Sequence, residues 1–318
     1  MTNQSYGKCL GCYQPLSDGS TYHPSCSQKL FQQKSPPQLE TTADEVEQLA
    51  HKYLNQRLAV TGVQRKLSLE VQKTKPSRLT IVGSLGGSYI MKPPNPDYDQ
   101  MPEIEDLCMH LAESCCGIKT AQHGLLSMPG GSLAYITRRF DRKRKKKVAV
   151  EDMCQLSGLL TEQKYRSSHE WVGKLILKYS SVQGDDVLRF FELVVFSYVI
   201  GNNDMHLKNF SLMTDDPSFI HMSPAYDLLA VRLLISKKDD PEELALTLNG
   251  KKSNFKRADF VTFGRTLGIP AKVVERVLEK QIQSKQTMFD WINRSFLTLD
   301  RQATFRALVE ENLSVLAL

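Results

Sequence analysis

Nowhere in the 318 residues is there an apolar run approaching the roughly 20 residues that a membrane-spanning helix needs. The strongly apolar stretch Phe190 to Ile200 is therefore read as a buried helix. Met1 to Lys8 is polar and lacks the apolar core of a secretory signal, so a cytoplasmic location is expected. Internal repeats and coiled-coil heptads are not evident. The cysteines number seven, an odd count, which speaks against a disulfide framework and for thiols or metal ligands. Charge of one sign is in only slight excess, +6, and much of it sits in one block from Arg138 to Lys147. Such a block is either a solvated loop or a patch for nucleic acid or an acidic partner, and charge alone does not make the chain a DNA-binding protein. A hydrophobic content of 41% with 24% charged residues is ordinary for a globular protein, and the length allows one two-lobed domain or two modest ones.

What is present begins with Cys9-Leu-Gly-Cys12 and His23-Pro-Ser-Cys26, two ligand pairs with two residues inside each and ten between them. In a zinc site each pair closes a tight turn on one side of a tetrahedron, and the intervening residues supply the hairpin that joins them. The competing reading is a set of reduced thiols packed against the body of the protein. Ser27 to Asp44, rich in Gln, Ser, Pro and Thr, reads as a linker.

Beyond it, Glu45 to Tyr53 reads as helix, and Leu67 to Val71 and Arg78 to Val82 alternate apolar with polar residues as half-buried strands do. Gly83 to Ser88 is a hairpin-like turn before a strand over Tyr89 to Lys92. A helix from about Glu103 to Cys115 follows, with Ile104, Leu107, Cys108 and Leu111 on one face, and a hairpin then turns at Pro129 to Gly131. From Val150 onward the pattern is mostly helical, over Trp171 to Tyr179, Asp186 to Gly201, Arg257 to Leu267, Ala271 to Gln283 and Arg301 to Leu316. The expected organisation is α+β and two-lobed, like a protein kinase: a Cys/His-rich segment and linker over 1–35, a small β-rich lobe over 36–140 and a larger helical lobe over 141–318.

The segment with most chemistry is Gly201-Asn-Asn-Asp204-Met-His206-Leu-Lys208-Asn209-Phe-Ser-Leu212, polar residues placed between an apolar helix and an apolar strand-like stretch. Asp204 and Asn209 stand five apart, the spacing by which a kinase catalytic loop sets a carboxylate at the acceptor hydroxyl and an amide oxygen on magnesium. Asp227, in Ser223-Pro-Ala-Tyr-Asp227, is a candidate for a second magnesium contact. Phosphoryl transfer also needs a cation on the phosphates. Lys92 fits that need, with Glu105 on the next helix to hold its ammonium; taken alone, Lys92 would pass for a surface strand lysine.

Thr61-Gly-Val-Gln-Arg-Lys66, Tyr89 to Pro93, Arg139-Phe-Asp-Arg142, Val150-Glu-Asp-Met-Cys-Gln155, Gly201 to Ser211 and Ser223 to Asp227 resemble, in order, the HipA toxin-kinase family. The resemblance runs from about Leu58 to the C-terminal helices. It implies an ATP- and magnesium-dependent serine/threonine protein kinase that arrests growth. By matching position it makes Gly62, Val63, Gln64 and Lys66 the phosphate-covering loop, Lys92 with Glu105 the nucleotide pair, and Arg138 to Phe140 the hinge that meets adenine. Asp204 becomes the base, His206 and Lys208 line the transfer site, and Asn209 and Asp227 hold magnesium; His206 is equally well read as a structural histidine bracing the loop.

Two departures stand out. The run Leu58-Ala-Val-Thr61 lacks the serine on which HipA-like kinases often silence themselves, so that either Thr61 substitutes as the acceptor or this member does not silence itself in that way. The stretch before the kinase core is also short, which resembles the HipT-like branch. That branch implies a separate HipS-like small protein and a HipB-like DNA-binding antitoxin as partners, with DNA reached only through the antitoxin. Related toxins point to an aminoacyl-tRNA synthetase as the substrate. Two other readings compete: a small-molecule phosphotransferase, which usually carries the loop as His-x-Asp, and a catalytically idle module in an antitoxin complex, against which the intact Lys92, Asp204, Asn209 and Asp227 speak.

Overall fold

The computed structural model describes residues 6–16, 19–39, 66–82, 86–143, 146–216 and 218–318. The chain divides into two compact units. The first comprises Met1–Asp106, Ala121–Lys145 and Arg294–Phe296; the second comprises Leu107–Thr120, Lys146–Asn293 and Leu297–Leu318.

The first unit is built on one sheet. Its elements are α1 (Pro24–Phe31), β1 (Gln38–Leu39), β2 (Leu67–Gln72), β3 (Arg78–Val82), β4 (Tyr89–Lys92), the opening turns of α2 (Met101–Cys116), β5 (His123–Ser127) and β6 (Leu133–Arg138). The six strands run in the order β1-β3-β2-β4-β6-β5, antiparallel except for the β1–β3 pair. Alternation in β2 sends Leu67 and Leu69 inward, where they join Leu79, Met91, Ile104, Leu125 and Ile136 in a core closed to solvent. The register sets Lys92 opposite Tyr135 and so turns its long side chain to the buried side.

The expected strands and the hairpin at Pro129 to Gly131 are present. The linker read over Ser27 to Asp44 is corrected: its start belongs to α1, and Gln38–Leu39 pairs with Arg78–Leu79. Helix α1 is only eight residues long, too short for its period to show in a polar stretch. Pro24 opens it without costing a hydrogen bond, and Phe31 packs against the rings of Tyr22 and Tyr89. The helix read over Glu45 to Tyr53, residues 83–85 of the turn after Val82, and Thr61 lie outside the described residues.

The second unit is mainly helical but carries a three-stranded antiparallel sheet, β9-β8-β7, of β7 (Ala149–Asp152), β8 (Ser211–Asp216) and β9 (Phe219–Met222). Its helices are the end of α2, the single turn α3 (Met153–Leu156), α4 (His169–Tyr179), α5 (Gln183–Val199), α6 (Arg257–Thr266), α7 (Ala271–Gln283), α8 (Lys285–Arg294) and α9 (Leu299–Ala317). The periodicity did not single out α8, although Met288, Trp291 and Ile292 bury one face of it. Helix α5 is enclosed on most sides, as its run of apolar residues implies: Phe190, Phe191, Val194, Val195, Phe196 and Val199 are all shut from solvent. Phe190 also stacks edge-on with Phe210 and Phe263, so the strand leaving the polar segment is pinned to this core. Among the described residues, no helix is long and apolar enough to cross a membrane.

The end of α5 fixes where that polar segment begins. Gly201 takes φ +68°, and the Asn202 amide turns back to the carbonyl of Ser197 at 2.8 Å. A Cβ at position 201 would lie 2.8 Å from Cβ of Arg232 and 2.9 Å from Cδ2 of Leu308, so both conformation and space demand glycine. Gly201→Ala is expected to destabilise the protein by roughly 1–3 kcal/mol. Urea unfolding of the two proteins checks this, and an unchanged midpoint would contradict it.

Candidate functional site

In the second unit the residues after Gly201 form a loop held almost wholly by its own polar groups. Asn202 is buried and its Oδ1 accepts the amide of Asp204 at 3.2 Å. Asn203 donates through Nδ2 to Oδ2 of Asp240 at 2.7 Å and to the carbonyl of Glu242 at 2.9 Å. Arg232 donates to the backbone carbonyls of Asp240 and Glu242 and so fixes that outer segment. A short 3-10 turn over Leu207–Asn209 then folds the chain back, with the His206 amide on the Asp204 carbonyl at 2.8 Å.

Asn209 donates through Nδ2 to the same carbonyl at 2.9 Å, joining the two residues whose spacing marked them in the sequence. That bond uses the donor end of the amide, so its oxygen is the end that can meet a cation. The Asp204 carboxylate itself accepts the hydroxyl of Tyr165 at 2.5 Å. Tyr165 was not foreseen: it comes from a loop some forty positions earlier that carries no motif, and nothing local marks it.

Lys208 does not turn to Asp204. Its Nζ donates to Oδ2 of Asp152 at 2.8 Å. Asp152 is also the N-cap of α3, accepting the Gln155 amide at 2.8 Å while Gln155 Oε1 accepts the Asp152 amide at 2.9 Å. Ser211 pairs with Asp152 across β8 and β7, so the Val150 to Gln155 motif and the loop meet through the sheet. Asp152 lay within that motif without being singled out. Tyr226 ties in the next segment by donating to the carbonyl of Lys208 at 2.8 Å, and its oxygen also bonds Ser211. Asp227 follows at φ +55°, a left-handed conformation uncommon outside glycine that Asp adopts more readily than most residues.

His206 is buried, with its ring edge-on to Tyr165 at 5.0 Å and its Nδ1 lacking a hydrogen-bond partner among the described residues. Burial pushes its pKa down to about 4, against an upward pull from Asp204. His169, wholly buried among Phe190, Phe210 and Phe263, is pushed down to about 3 by burial alone.

In the first unit Lys92 and Glu105 are brought together, Nζ to Oε1 at 2.5 Å, with 2% and 1% of the side chains exposed. The ammonium also faces the ring of Tyr135 at 5.4 Å. Arg138 closes β6, with its amide on the carbonyl of Gln122 at 2.7 Å, and the next amide, that of Arg139, reaches Ser88 at 2.9 Å. Phe140 lies in the turn that follows. Arg139 grips Asp141 through Nε and a terminal nitrogen at 2.9 and 2.7 Å. Burial alone would raise the Asp141 carboxyl, but Arg139 and Arg142 hold it below its ordinary value. Lys66 sits exposed just ahead of β2, whereas Gly62, Val63 and Gln64 lie outside the described residues. Cys9, Cys12, His23 and Cys26 converge, each offering one ligand atom within 4.8 Å of the others.

The model of the HipA-like C-terminal domain family matches residues 58–289. A Haemophilus influenzae protein named "Putative kinase" is 26% identical over 270 residues, which cover 76% of this chain and 77% of that protein. The Sinorhizobium fredii protein "Putative kinase Y4dM" is 34% identical over 197 residues, 58% of this chain and 47% of its own length. Among solved structures, HipA in the Shewanella oneidensis HipA, HipB and operator DNA complex superposes with a TM-score of 0.66 at 22% identity, over 82% of this chain and 64% of that one. The Helicobacter pylori proinflammatory kinase CtkA superposes with a TM-score of 0.55 at 15% identity, over 75% of this chain and 87% of that one. The chain thus spans about half the length of the Sinorhizobium relative and less than two thirds of the Shewanella protein. The two structures support the expected α+β, kinase-like fold.

The two buried histidines generate a pH dependence of stability. Both folded pKa values lie below the ordinary 6.5. Between about pH 6.5 and 4 the unfolded chain therefore takes up protons that the folded chain refuses, and stability falls as pH falls. The slope is on the order of 1 kcal/mol per pH unit for each histidine. Urea midpoints at pH 7 and pH 5 should differ less in His169→Phe than in the native protein; equal differences would show that His169 contributes nothing to the slope.

Proposed function

The chain belongs to the HipA-like C-terminal domain family, and from that premise we propose that it is an ATP- and magnesium-dependent kinase that phosphorylates a serine or threonine of a protein. The observation that carries this reading is the state of Asp204. Its carboxylate already accepts a hydroxyl proton donor at 2.5 Å, and its own carbonyl orients Asn209 from the same turn. A carboxylate so placed is suited to take the proton of an attacking hydroxyl.

In this reading Asn209 and Asp227 would hold magnesium, with an amide oxygen and a carboxylate, the hard oxygen donors that this ion prefers. When bound, magnesium neutralises charge developing on the phosphate oxygens. Lys92 is the phosphate cation, oriented by Glu105, and Lys208 moves from Asp152 toward the transferred group. Gly62 to Lys66 cover the phosphates, and Arg138 to Phe140 receive adenine. His206, neutral at ordinary pH, braces Tyr165 and the loop rather than carrying charge.

The wider role we propose is growth arrest as a toxin of the HipT-like short branch, in the cytoplasm, with an aminoacyl-tRNA synthetase as substrate. The Shewanella structure joins HipA to HipB and operator DNA, which supports a HipB-like antitoxin partner for this chain. A HipS-like small protein is proposed as the third component.

Incubation of the purified protein with magnesium and labelled ATP in a ribosome-free bacterial lysate tests the reading, with Asp204→Asn alongside. A labelled protein band that disappears in the variant is expected, and mass spectrometry would then identify the acceptor residue and protein. No labelling by either form, together with no nucleotide binding, would favour an idle binding module instead.

Tyr165 supplies a second prediction. Its hydroxyl holds the place on Asp204 that an acceptor hydroxyl needs, at a net strength of about 0.5–1.5 kcal/mol. Tyr165→Phe is therefore expected to lower KM for the protein substrate by roughly 2- to 10-fold, measured in steady-state assays at fixed ATP. A raised KM would mean that Tyr165 helps to bind the acceptor.

A further inference from the structure

The N-terminal segment makes no contribution to the proposed phosphoryl transfer, yet it contains the densest group of soft ligands among the described residues. Cys9, Cys12, His23 and Cys26 present three sulfurs and an imidazole nitrogen within 4.8 Å of one another. Around a tetrahedral zinc ion, bonds of about 2.3 Å to sulfur and about 2.0 Å to nitrogen place neighbouring ligand atoms about 3.5–3.8 Å apart. Cys12 Sγ lies 3.4 Å from His23 Nδ1, close to that spacing. The cysteines are all free thiols, so no disulfide explains the cluster.

The backbone is shaped for the same purpose. Cys9 Sγ accepts the amides of Gly11 at 3.4 Å and His23 at 3.3 Å, bonds that favour sulfur as a thiolate. The turn between the first two cysteines closes through the Tyr13 amide on the Cys9 carbonyl at 2.9 Å, with Tyr13 at φ +62°. Gly11 lies inside that turn, where a Cβ would come within 2.6 Å of the Tyr22 ring and 3.2 Å of Cys26 Cβ. On the other side, His23 directly precedes α1 and Cys26 lies in its first turn.

The segment is joined to the rest of the first unit at its sheet and at α2. The Leu125 amide on edge strand β5 donates to the carbonyl of Leu10 at 3.0 Å, and the Tyr22 hydroxyl donates to the carbonyl of Leu125 at 2.6 Å. Gly124 permits this approach, because a Cβ there would meet the Tyr22 oxygen at 2.5 Å. The Tyr13 hydroxyl donates to Oδ2 of Asp106 at 2.7 Å, one residue after Glu105.

We propose that Cys9, Cys12, His23 through Nδ1, and Cys26 bind one structural zinc ion, which fastens the N-terminal segment to the edge strand β5 and to the turn of α2 that carries Glu105. Four protein ligands close the coordination shell and leave no position for water or substrate, so the ion is structural rather than catalytic. Three thiolates and an imidazole form a soft set that suits zinc over magnesium or calcium. The segment outside α1 has little regular structure to hold itself together, and the ion supplies the cross-link.

Elemental analysis of the full chain, purified without chelator, is expected to give about one zinc per chain. Cys12→Ser and Cys26→Ser should each bring this below about 0.2 per chain. Because either variant could fail to fold, the native protein is also stripped, reduced and titrated with cobalt(II). Intense visible bands of a tetrahedral thiolate site are expected, saturating at about one equivalent. No zinc in the native protein and no such bands with cobalt would overturn the site, and zinc retained by both variants would overturn its ligands. The fastening is read by hydrogen exchange: metal removal should speed exchange of the Leu125 amide about 10-fold or more. Unchanged exchange there would overturn the bracing role.

Discussion

A lysine ammonium shut away from water dictates much of the first unit. Lys92 and Glu105 meet at 2.5 Å with almost no exposure of either side chain. Withdrawing two charges from water costs several kcal/mol per ion, and only close, well-aligned pairing offsets it. The register of β4 against β6 and the rotation of α2 about its axis must therefore both be right, since a slip in either would leave one charge buried alone. Neighbouring contacts hold that rotation. Asp106, the next residue of the helix, accepts the Tyr13 hydroxyl at 2.7 Å and His123 Nδ1 at 2.6 Å, so consecutive carboxylates on α2 are pinned by different parts of the sheet unit. A hydrophobic pair at positions 92 and 105 would pack with less constraint. The charged pair instead keeps an ammonium in one place, as the phosphate role proposed for Lys92 would need.

The second unit solves the opposite problem. There the core is mainly apolar, with His169 and Asp186 enclosed in it, and the polar loop after Gly201 hangs from its edge. Helix α5 brings Phe190 and Phe196 inside, stops at Gly201, and releases a loop whose Asn202 and Asn203 are spent on the loop's own backbone and on Asp240 and Glu242. Phe210 then returns to the core against Phe190. The Asp204 carboxylate instead accepts the hydroxyl of Tyr165, a side chain from outside the loop. Asn202 Nδ2, Asn203 Oδ1 and His206 Nδ1 are buried in the same loop with no hydrogen-bond partner among the described residues, so its polar groups are held in place at a cost that packing alone does not explain.

Legibility in the sequence followed the range of the interactions. Strands such as Leu67–Gln72 and the helix Ala271–Gln283 were readable because alternation or helical period repeats within the element itself. The Asp204 and Asn209 pair was readable because five residues of loop place both, and the hydrogen bond between them is as local as their spacing. The larger part of the short helix Pro24–Phe31, from Ser27 on, reads as linker in the sequence because Phe31 packs against Tyr22 and Tyr89, contacts that a polar local pattern does not announce. Tyr165 and the Asp152 partner of Lys208 were missed for the same reason: each reaches the loop from about forty to fifty-six positions away, and no spacing encodes that.

The two lysines differ in a way that fits the separate parts proposed for them. Lys208 pairs with Asp152 at 2.8 Å, but 34% of the lysine side chain and 15% of the aspartate remain exposed. An ion pair so open to water is worth about 0–1 kcal/mol, and exchanging one anion for another costs little. Lys92 has no such freedom, since moving its ammonium off Glu105 would strand a buried carboxylate at a cost of about 3–5 kcal/mol. The buried pair therefore suits the fixed phosphate cation proposed at Lys92, and the exposed one suits the moving cation proposed at Lys208. Asp152 also caps the turn Met153–Leu156 by accepting the Gln155 amide on Oδ1, the oxygen that Lys208 does not use, so the cap does not depend on the lysine.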